Sequence, residues 1–233
     1  MAIILTSEQT IPLDEPFKVC AGPGAGKTHW LINHIKNVVS NSHTLDIVKK
    51  VACITYTNVG TDTITSRLNI GNDVVEVCTI HSFLYANVVK PYVHLVAEDF
   101  ELKLDELVVI DDSNFKSEGT AKIVLNRIGR SWLDAKIYLK GLESANWRYE
   151  NHEYKHYKPN YPQVYYTKSG KRYVGNDWYM GFKRWLWSGG YMSFDDILYF
   201  SHILLSRYPN IYKLIKARYP YIFVDEFQDT IPF

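Results

Sequence analysis

Three cysteines in 233 residues, Cys20, Cys53 and Cys78, are too few for a disulfide framework and odd in number. No Cys-x-x-Cys or Cys/His spacing accompanies them, so nothing points to a metal bound through sulfur. Each lies in a short apolar stretch ("FKVCAG", "VACITYT", "VEVCTI") that reads as a buried strand, and reduced, buried thiols are expected. No apolar run reaches the roughly 20 residues of a membrane-spanning helix. The N-terminal "MAIILTSEQTIPLDEP" has neither the basic segment nor the long apolar core of a secretory signal. A cytoplasmic protein without membrane association is therefore expected. Neither sign of charge prevails, since 26 Lys and Arg face 25 Asp and Glu. That balance says little about nucleic acid, because a local basic groove can hide inside a neutral total. There are no internal repeats and no low-complexity tracts.

Apolar residues, by contrast, make up 46% of the chain and aromatic residues 15%, enough to bury a sizeable core in one domain with an insertion. Up to about residue 90, β-rich runs alternate with helical patterns. "FKVCAG", "KVACITYT" and "VVEVCTI" read as strands, and "KTHWLINHIKNVV", "TDTITSRL" and "HSFLYANVV" as helices. Strand-helix alternation with continuous apolarity in the strands predicts an α/β fold whose parallel sheet is flanked by helices. From 91 to 190 the texture changes. "ELVVIDD" suggests a strand and "TAKIVLNRIG" a helix, followed by a stretch dense in Tyr, Trp, Lys and Arg. Within it, "VYYTKSGKRYV" suggests a hairpin turning at Ser169-Gly170. These residues read as an inserted domain. The segment 191–233 returns to the first domain: "SFDDILYFSHILLSRYP" opens with a capping box, Ser193 and Asp196, "NIYKLIKARYP" is a second helix, and "YIFVD" is a buried strand.

The strongest chemical signal is "VCAGPGAGKTHW". It follows a predicted strand and opens a predicted helix, the context that the phosphate-loop pattern GxxxxGK[ST] requires. Ala21 stands at the first glycine position, so Ala21, Gly22, Pro23, Gly24, Ala25, Gly26, Lys27 and Thr28 form the candidate cradle. Its glycines allow consecutive N–H groups to turn toward phosphate oxygens. Lys27 supplies charge to the β- and γ-phosphates of ATP, Thr28 a hydroxyl to Mg²⁺, and the helix N-terminus adds its partial positive charge. "YIFVDEF" supplies the complement. At the end of a strand beside the loop, Asp225 can hold Mg²⁺ and Glu226 can orient and deprotonate an attacking water. Taken alone, either string also fits an ordinary turn or loop start.

"AGPGAGKT", "ITYTN", "TIHSF", "FDDIL" and "VDEFQDT" occur in the order found in the N-terminal half of UvrD/Rep/PcrA-type superfamily 1 DNA helicases, and the chain resembles that family. "VDEFQDT" is the most specific string, because generic phosphate-loop ATPases lack its Gln-Asp-Thr extension. The resemblance implies a RecA-like fold, ATP and Mg²⁺ as ligands, and single-stranded DNA and single-strand/duplex junctions as partners. It implies that Tyr56, Thr57 and Asn58 (motif Ia) and Thr79, His81 and Ser82 (motif Ib) face DNA. The same residues also suit a strand end, a helix cap and local packing. The family's Lys-Ala-Ala after Asn is here Val59-Gly60-Thr61, which removes one expected phosphate contact. Gln228 matches the residue that couples hydrolysis to domain movement. Gln9 stands where the family's adenine-contacting Gln is expected, although a plain surface residue fits equally.

The aromatic, basic insert suits two roles, a surface for DNA with Lys168, Lys171 and Arg172 at its hairpin tip, or the Tyr-rich core of a small domain. The sequence ends before the family's motif III and holds no second RecA-like domain. Half of a motor is thus expected: binding Mg·ATP, hydrolysing it poorly alone, and not unwinding duplex. An ATP-gated adaptor without turnover is the competing expectation. A kinase or GTPase is disfavoured by the absence of Asn-Lys-x-Asp or a phosphoryl-acceptor motif.

Overall fold

The computed structural model describes residues 6, 8–13, 15–20, 22, 24–105, 107–144, 146–150, 153–157 and 176–226. Along the chain the elements run α1 (Lys27–Asn41), β1 (Val51–Thr55), α2 (Asn58–Leu68), β2 (Val75–Thr79) and α3 (Ile80–Leu84). A π-helical turn, Tyr85–Val89, continues α3 into the single turn α4 (Lys90–Tyr92). Then come β3 (Val108–Ile110), α5 (Glu118–Arg127), α6 (Ala135–Ser144), β4 (Asn146–Glu150), β5 (Glu153–Tyr157) and α7 (Asn176–Ser188). The last are β6 (Tyr191–Ser193), α8 (Phe194–Arg207), α9 (Asn210–Arg218) and β7 (Tyr221–Val224). Among the described residues no helix is long and apolar enough to cross a membrane.

Two compact units result. The first takes the residues to Phe83 and those from Pro209 through β7. Its sheet has the order β2-β1-β7, all parallel, with Cys53 opposite Val77 on one side and Phe223 on the other. All five residues of β1, "VACIT", are buried, the pattern of a central strand flanked by helices rather than one with a wet face. The helix α1 turns Leu31, Ile32, Ile35 and Val38 inward, α2 adds Ile64 and Leu68, and all pack on Val51, Cys53, Val75 and Phe223. Each such side chain contributes roughly 1.5–3 kcal/mol on burial. Tyr219 ties the returning segment to β2, its hydroxyl donating to Glu76 Oε2 at 2.7 Å. Tyr221 Oη lies 2.9 Å from Ser42 Oγ at the end of α1. The expected "YIFVD" strand is thus found in the first sheet.

One expected strand is absent. Over the described residues of "FKVCAG" the backbone is irregular, and Cys20 is exposed instead of buried. Phe17 packs its ring against Trp30, His34 and Phe223, so side-chain packing anchors a segment whose described residues join no backbone ladder. Cys53 is buried as expected and Cys78 half-buried. Burial pushes both thiols up to about 12, aided at Cys53 by the charge of Asp225 and at Cys78 by that of Glu76.

The second unit, Leu84–Tyr208, holds two small sheets, the parallel pair β3-β6 and the antiparallel pair β4-β5. Its core joins Ala121, Val124 and Leu125 of α5, Tyr138 and Leu142 of α6, and Tyr179, Phe182 and Leu186 of α7. The capping box that opens α8 is present: Ser193 accepts from Asp196 N–H and Asp196 accepts from Ser193 N–H at 2.7 Å. The same two side chains meet Lys183 of α7, which is wholly buried. Its ammonium donates to Asp112 Oδ2 at 2.8 Å, Ser193 Oγ at 2.8 Å and Asp196 Oδ2 at 3.3 Å. Burial opposes that charge, but Asp196, Tyr179 and Asp112 outweigh it and hold the Lys183 ammonium above its usual range. The units part at 83/84 and 208/209, whereas the segment boundaries expected from sequence are 90/91 and 190/191. The intervening β6 and α8 go with the inserted unit because Ser193 and Asp196 complete the Lys183 network. The expected hairpin at Ser169-Gly170, with Lys168, Lys171 and Arg172, lies outside the described residues.

Candidate nucleotide site

The loop before α1 owes its shape to two glycines in the left-handed region, Gly24 at φ +74° and Gly26 at φ +81°. No atom stands within 4 Å of where a Cβ on Gly24 would lie, so the requirement there is torsional, not steric. Ala25 N–H donates to Gly22 O at 3.3 Å, closing a turn, and Trp30 N–H to Gly26 O at 2.9 Å, starting the helix. Gly26 is the N-cap and brings no side-chain acceptor, and the first turn holds no acidic residue. The leading N–H groups of α1 therefore keep their partial positive charge. Ala21 and Pro23 lie outside the described residues.

Asp225 follows β7, and its N–H extends the ladder by donating to Ile54 O at 2.8 Å. Its carboxyl receives a hydrogen bond from the Thr28 hydroxyl and feels the charge of Lys27. Two strings almost 200 residues apart in the chain thus meet at one sheet edge. Burial raises the Asp225 pKa; the Glu226 amide lowers it, the Glu226 charge raises it, and Lys27 and Thr28 lower it, the net direction being upward. A half-buried acid held against its preference for water is a ready ligand for a cation. Among the described residues no group of three or more His, Cys, Asp and Glu could hold a metal by itself. Asp225 with the Thr28 hydroxyl, leaving other positions to water and phosphate oxygens, is the donor set that suits Mg²⁺. Glu226 sits at φ +52°, its N–H 3.1 Å from Asp225 Oδ1. Gln228 lies outside the described residues.

Gln9 is exposed but anchored. Its N–H donates to Thr6 O at 3.2 Å, Thr6 N–H donates to its Oε1 at 2.8 Å, and its own carbonyl accepts from Trp30 Nε1 at 2.8 Å. It is thereby tied to α1 less than a turn beyond Thr28.

The remaining candidates follow the neighbouring strands. Thr55 and Thr79 are in register at the ends of β1 and β2, so the segments after them emerge at the sheet edge that carries Asp225. Tyr56 is 53% exposed. Thr57 caps α2, accepting from Gly60 N–H at 3.0 Å, and Asn58 is the first helical residue. Thr79 Oγ1 lies 3.0 Å from Ser82 Oγ and accepts from Ser82 N–H at 3.3 Å. His81, in α3, has its pKa lowered by burial. The two threonines thus carry capping bonds. Sequence patterns missed Trp30 and Lys183, whose partners at Gln9 and Asp112 lie in distant segments; the one available signal was Trp30 and His34 at i, i+4 on a single helix face.

The sequence model of the UvrD/REP helicase N-terminal domain matches residues 6–233. Gabija protein GajB of Bacillus cereus (strain HuB5-5) is 26% identical over an alignment covering 90% of this chain and 35% of that protein. DNA helicase II of Rickettsia typhi is 23% identical, covering 97% of this chain and 33% of its own length. For the ATP-dependent DNA helicase PcrA of Bacillus subtilis the figures are 25%, 93% and 28%. The chain thus spans about a third of the length of these relatives.

Proposed function

This chain belongs to the UvrD/REP helicase N-terminal domain family, and from that premise we propose that it is the ATP-binding half of a DNA translocase acting in the cytoplasm. Lys27 and the loop amides grip the β- and γ-phosphates of ATP. Thr28 and Asp225 hold Mg²⁺, which when bound neutralises charge across the phosphates. Glu226 orients the attacking water and takes its proton. Gln9 contacts adenine and Gln228 relays the state of the site. Tyr56, Thr57, Asn58, Thr79, His81 and Ser82 lie along single-stranded DNA, with Tyr56 offering a stacking face. The first unit is the motor domain and the inserted unit an accessory domain. A second RecA-like domain is the partner that completes the site and the DNA track. The observation that carries this proposal is the meeting of Thr28 and Lys27 with Asp225 at one sheet edge.

Alone, the 233-residue chain binds Mg·ATP and turns it over slowly. Lys27→Ala is expected to cut Mg·ATP affinity or turnover by roughly 10²-fold, the scale of a lost preorganised charge contact. Glu226→Gln should retain binding while losing turnover by roughly 10²–10⁴-fold. Calorimetric titration and phosphate-release assays, with and without single-stranded DNA, read both. ATP binding indifferent to Lys27→Ala overturns the nucleotide site. Strand separation by the chain alone overturns its standing as half a motor. DNA affinity that depends on ATP without any turnover, even with the second domain supplied, identifies the adaptor instead.

A further inference from the structure

Four aromatic rings form one cluster on the segments that carry the candidate site. Trp30 is 6% exposed and stacks on His34 at 5.0 Å with 7° between the planes. Phe17 meets Trp30 edge-on at 5.4 Å and His34 at 5.1 Å. Phe223 meets His34 edge-on at 5.6 Å. Phe17 precedes the phosphate loop, Trp30 and His34 follow it on α1, and Phe223 stands two residues before Asp225. Trp30 reaches outward from this cluster with a polar group, its Nε1–H donating to the Gln9 carbonyl at 2.8 Å.

From this geometry we infer that Trp30 is a positioning residue for base recognition: its indole N–H sets Gln9 against the helix that follows the phosphate loop, and thereby fixes the preference for adenine. Gln9 is held at both ends. Its main-chain carbonyl is fixed by Trp30, and its side-chain Oε1 by Thr6 N–H at 2.8 Å. A carboxamide presents paired donors and an acceptor with a second lone pair, the complement of the N6–H and N7 edge of adenine. A flexible N-terminal segment would bring that edge to the base only part of the time, and the cost of ordering it would reduce discrimination. The indole removes that freedom before nucleotide arrives. Phe17 and Phe223 clamp the same rings to the segments carrying phosphate and metal ligands, so base and triphosphate contacts share one rigid frame.

The inference rests on Gln9 as the adenine contact, and its test separates the two. For the full chain and for Trp30→Phe, Gln9→Ala and the double variant, dissociation constants are measured for Mg·ATP, Mg·UTP and Mg·tripolyphosphate. The unchanged protein should prefer ATP to UTP. Trp30→Phe keeps the ring and loses the donor; it should lower the ATP:UTP ratio about fivefold to tenfold, the scale of one hydrogen-bonded contact, with tripolyphosphate affinity within about twofold. In the Gln9→Ala background the Trp30 change should have no further effect on the ratio. An unaltered ratio in Trp30→Phe, or equal loss of ATP, UTP and tripolyphosphate, overturns the inference and leaves the phosphate site standing. No preference for ATP in the unchanged protein removes Gln9 as the adenine contact and the inference with it. No binding of any of the three overturns the nucleotide site itself. Should Trp30→Phe not fold, the indole ¹⁵N–H resonance of Trp30 in the unchanged protein decides: it shifts with ATP and not with tripolyphosphate, and a resonance blind to both overturns the inference.

Discussion

Folding draws the Asp225 carboxyl partly out of water and sets it beside a second acid, Glu226, while the Glu226 amide, Lys27 and Thr28 only partly offset the penalty. Its folded pKa is therefore raised. For a group so shifted, the favourable contribution is complete below the unfolded value and is lost as pH climbs through the folded one, so at neutral pH the ionised Asp225 weakens the ligand-free protein. Asp225→Asn is expected to melt at a higher temperature than the unchanged chain at pH 7 without nucleotide, and to lose the further stabilisation that Mg·ATP confers. Scanning calorimetry with and without Mg·ATP checks both halves. Local strings sufficed to single out Lys27, Thr28 and Asp225, which the fold brings together, because a phosphate-loop pattern restricts residue type at fixed spacing. Trp30 was illegible for the opposite reason. Its partner is a main-chain carbonyl, and any residue at position 9 supplies one.

Helix signals were equally local and equally readable: Ser193 with Asp196 for α8, the apolar stripe of α1, and Thr57 before α2. Lys183 was not, since its partner Asp112 comes from the far end of the inserted unit and nothing around "GFKRWLW" distinguishes a buried lysine from a surface one. With Asp196 fully buried and bonded to both Lys183 and the α8 cap, Asp196→Ala leaves a buried ammonium short of a counter-charge and a helix end short of an acceptor. Loss of one partner from such a pair costs about 3–5 kcal/mol, and urea denaturation should show a loss of that size. The misread strand, "FKVCAG", has the composition of a strand; what it lacks is ladder pairing, and composition alone does not encode pairing.

At the scale of the molecule, the order of the motifs disclosed the plan of a parallel sheet interrupted by an insert, yet not where the insert ends. That boundary depends on Lys183 recruiting Ser193 and Asp196, a long-range choice. Burial also places His34 and His81 in the first unit with pKa values lowered by desolvation. His34 Nδ1 has no hydrogen-bond partner among the described residues, and its ring is enclosed by Phe17, Trp30 and Phe223. In a folded protein that keeps both imidazoles neutral, the unfolded chain binds more protons below its own histidine pKa of about 6.5. The histidines' contribution to stability should be flat above that value and fall as the solution is acidified through it, the reverse of the Asp225 effect. Denaturant midpoints at a series of pH values measure the slope, and His34→Phe should reduce it.

Among the described residues β7 fills the open side of β1, yet β1 is made some 170 residues earlier. During synthesis on the ribosome, every residue between Leu84 and Tyr208 emerges before Tyr221 does. The inserted unit accordingly has all its parts in hand while β1 still waits with one side open, so translation inverts the order in which the two bodies can be finished. Until β7 docks, the newborn chain has Lys27 and Thr28 but no Asp225 to face them, so the meeting of these three side chains waits on the latest of the described elements to be made.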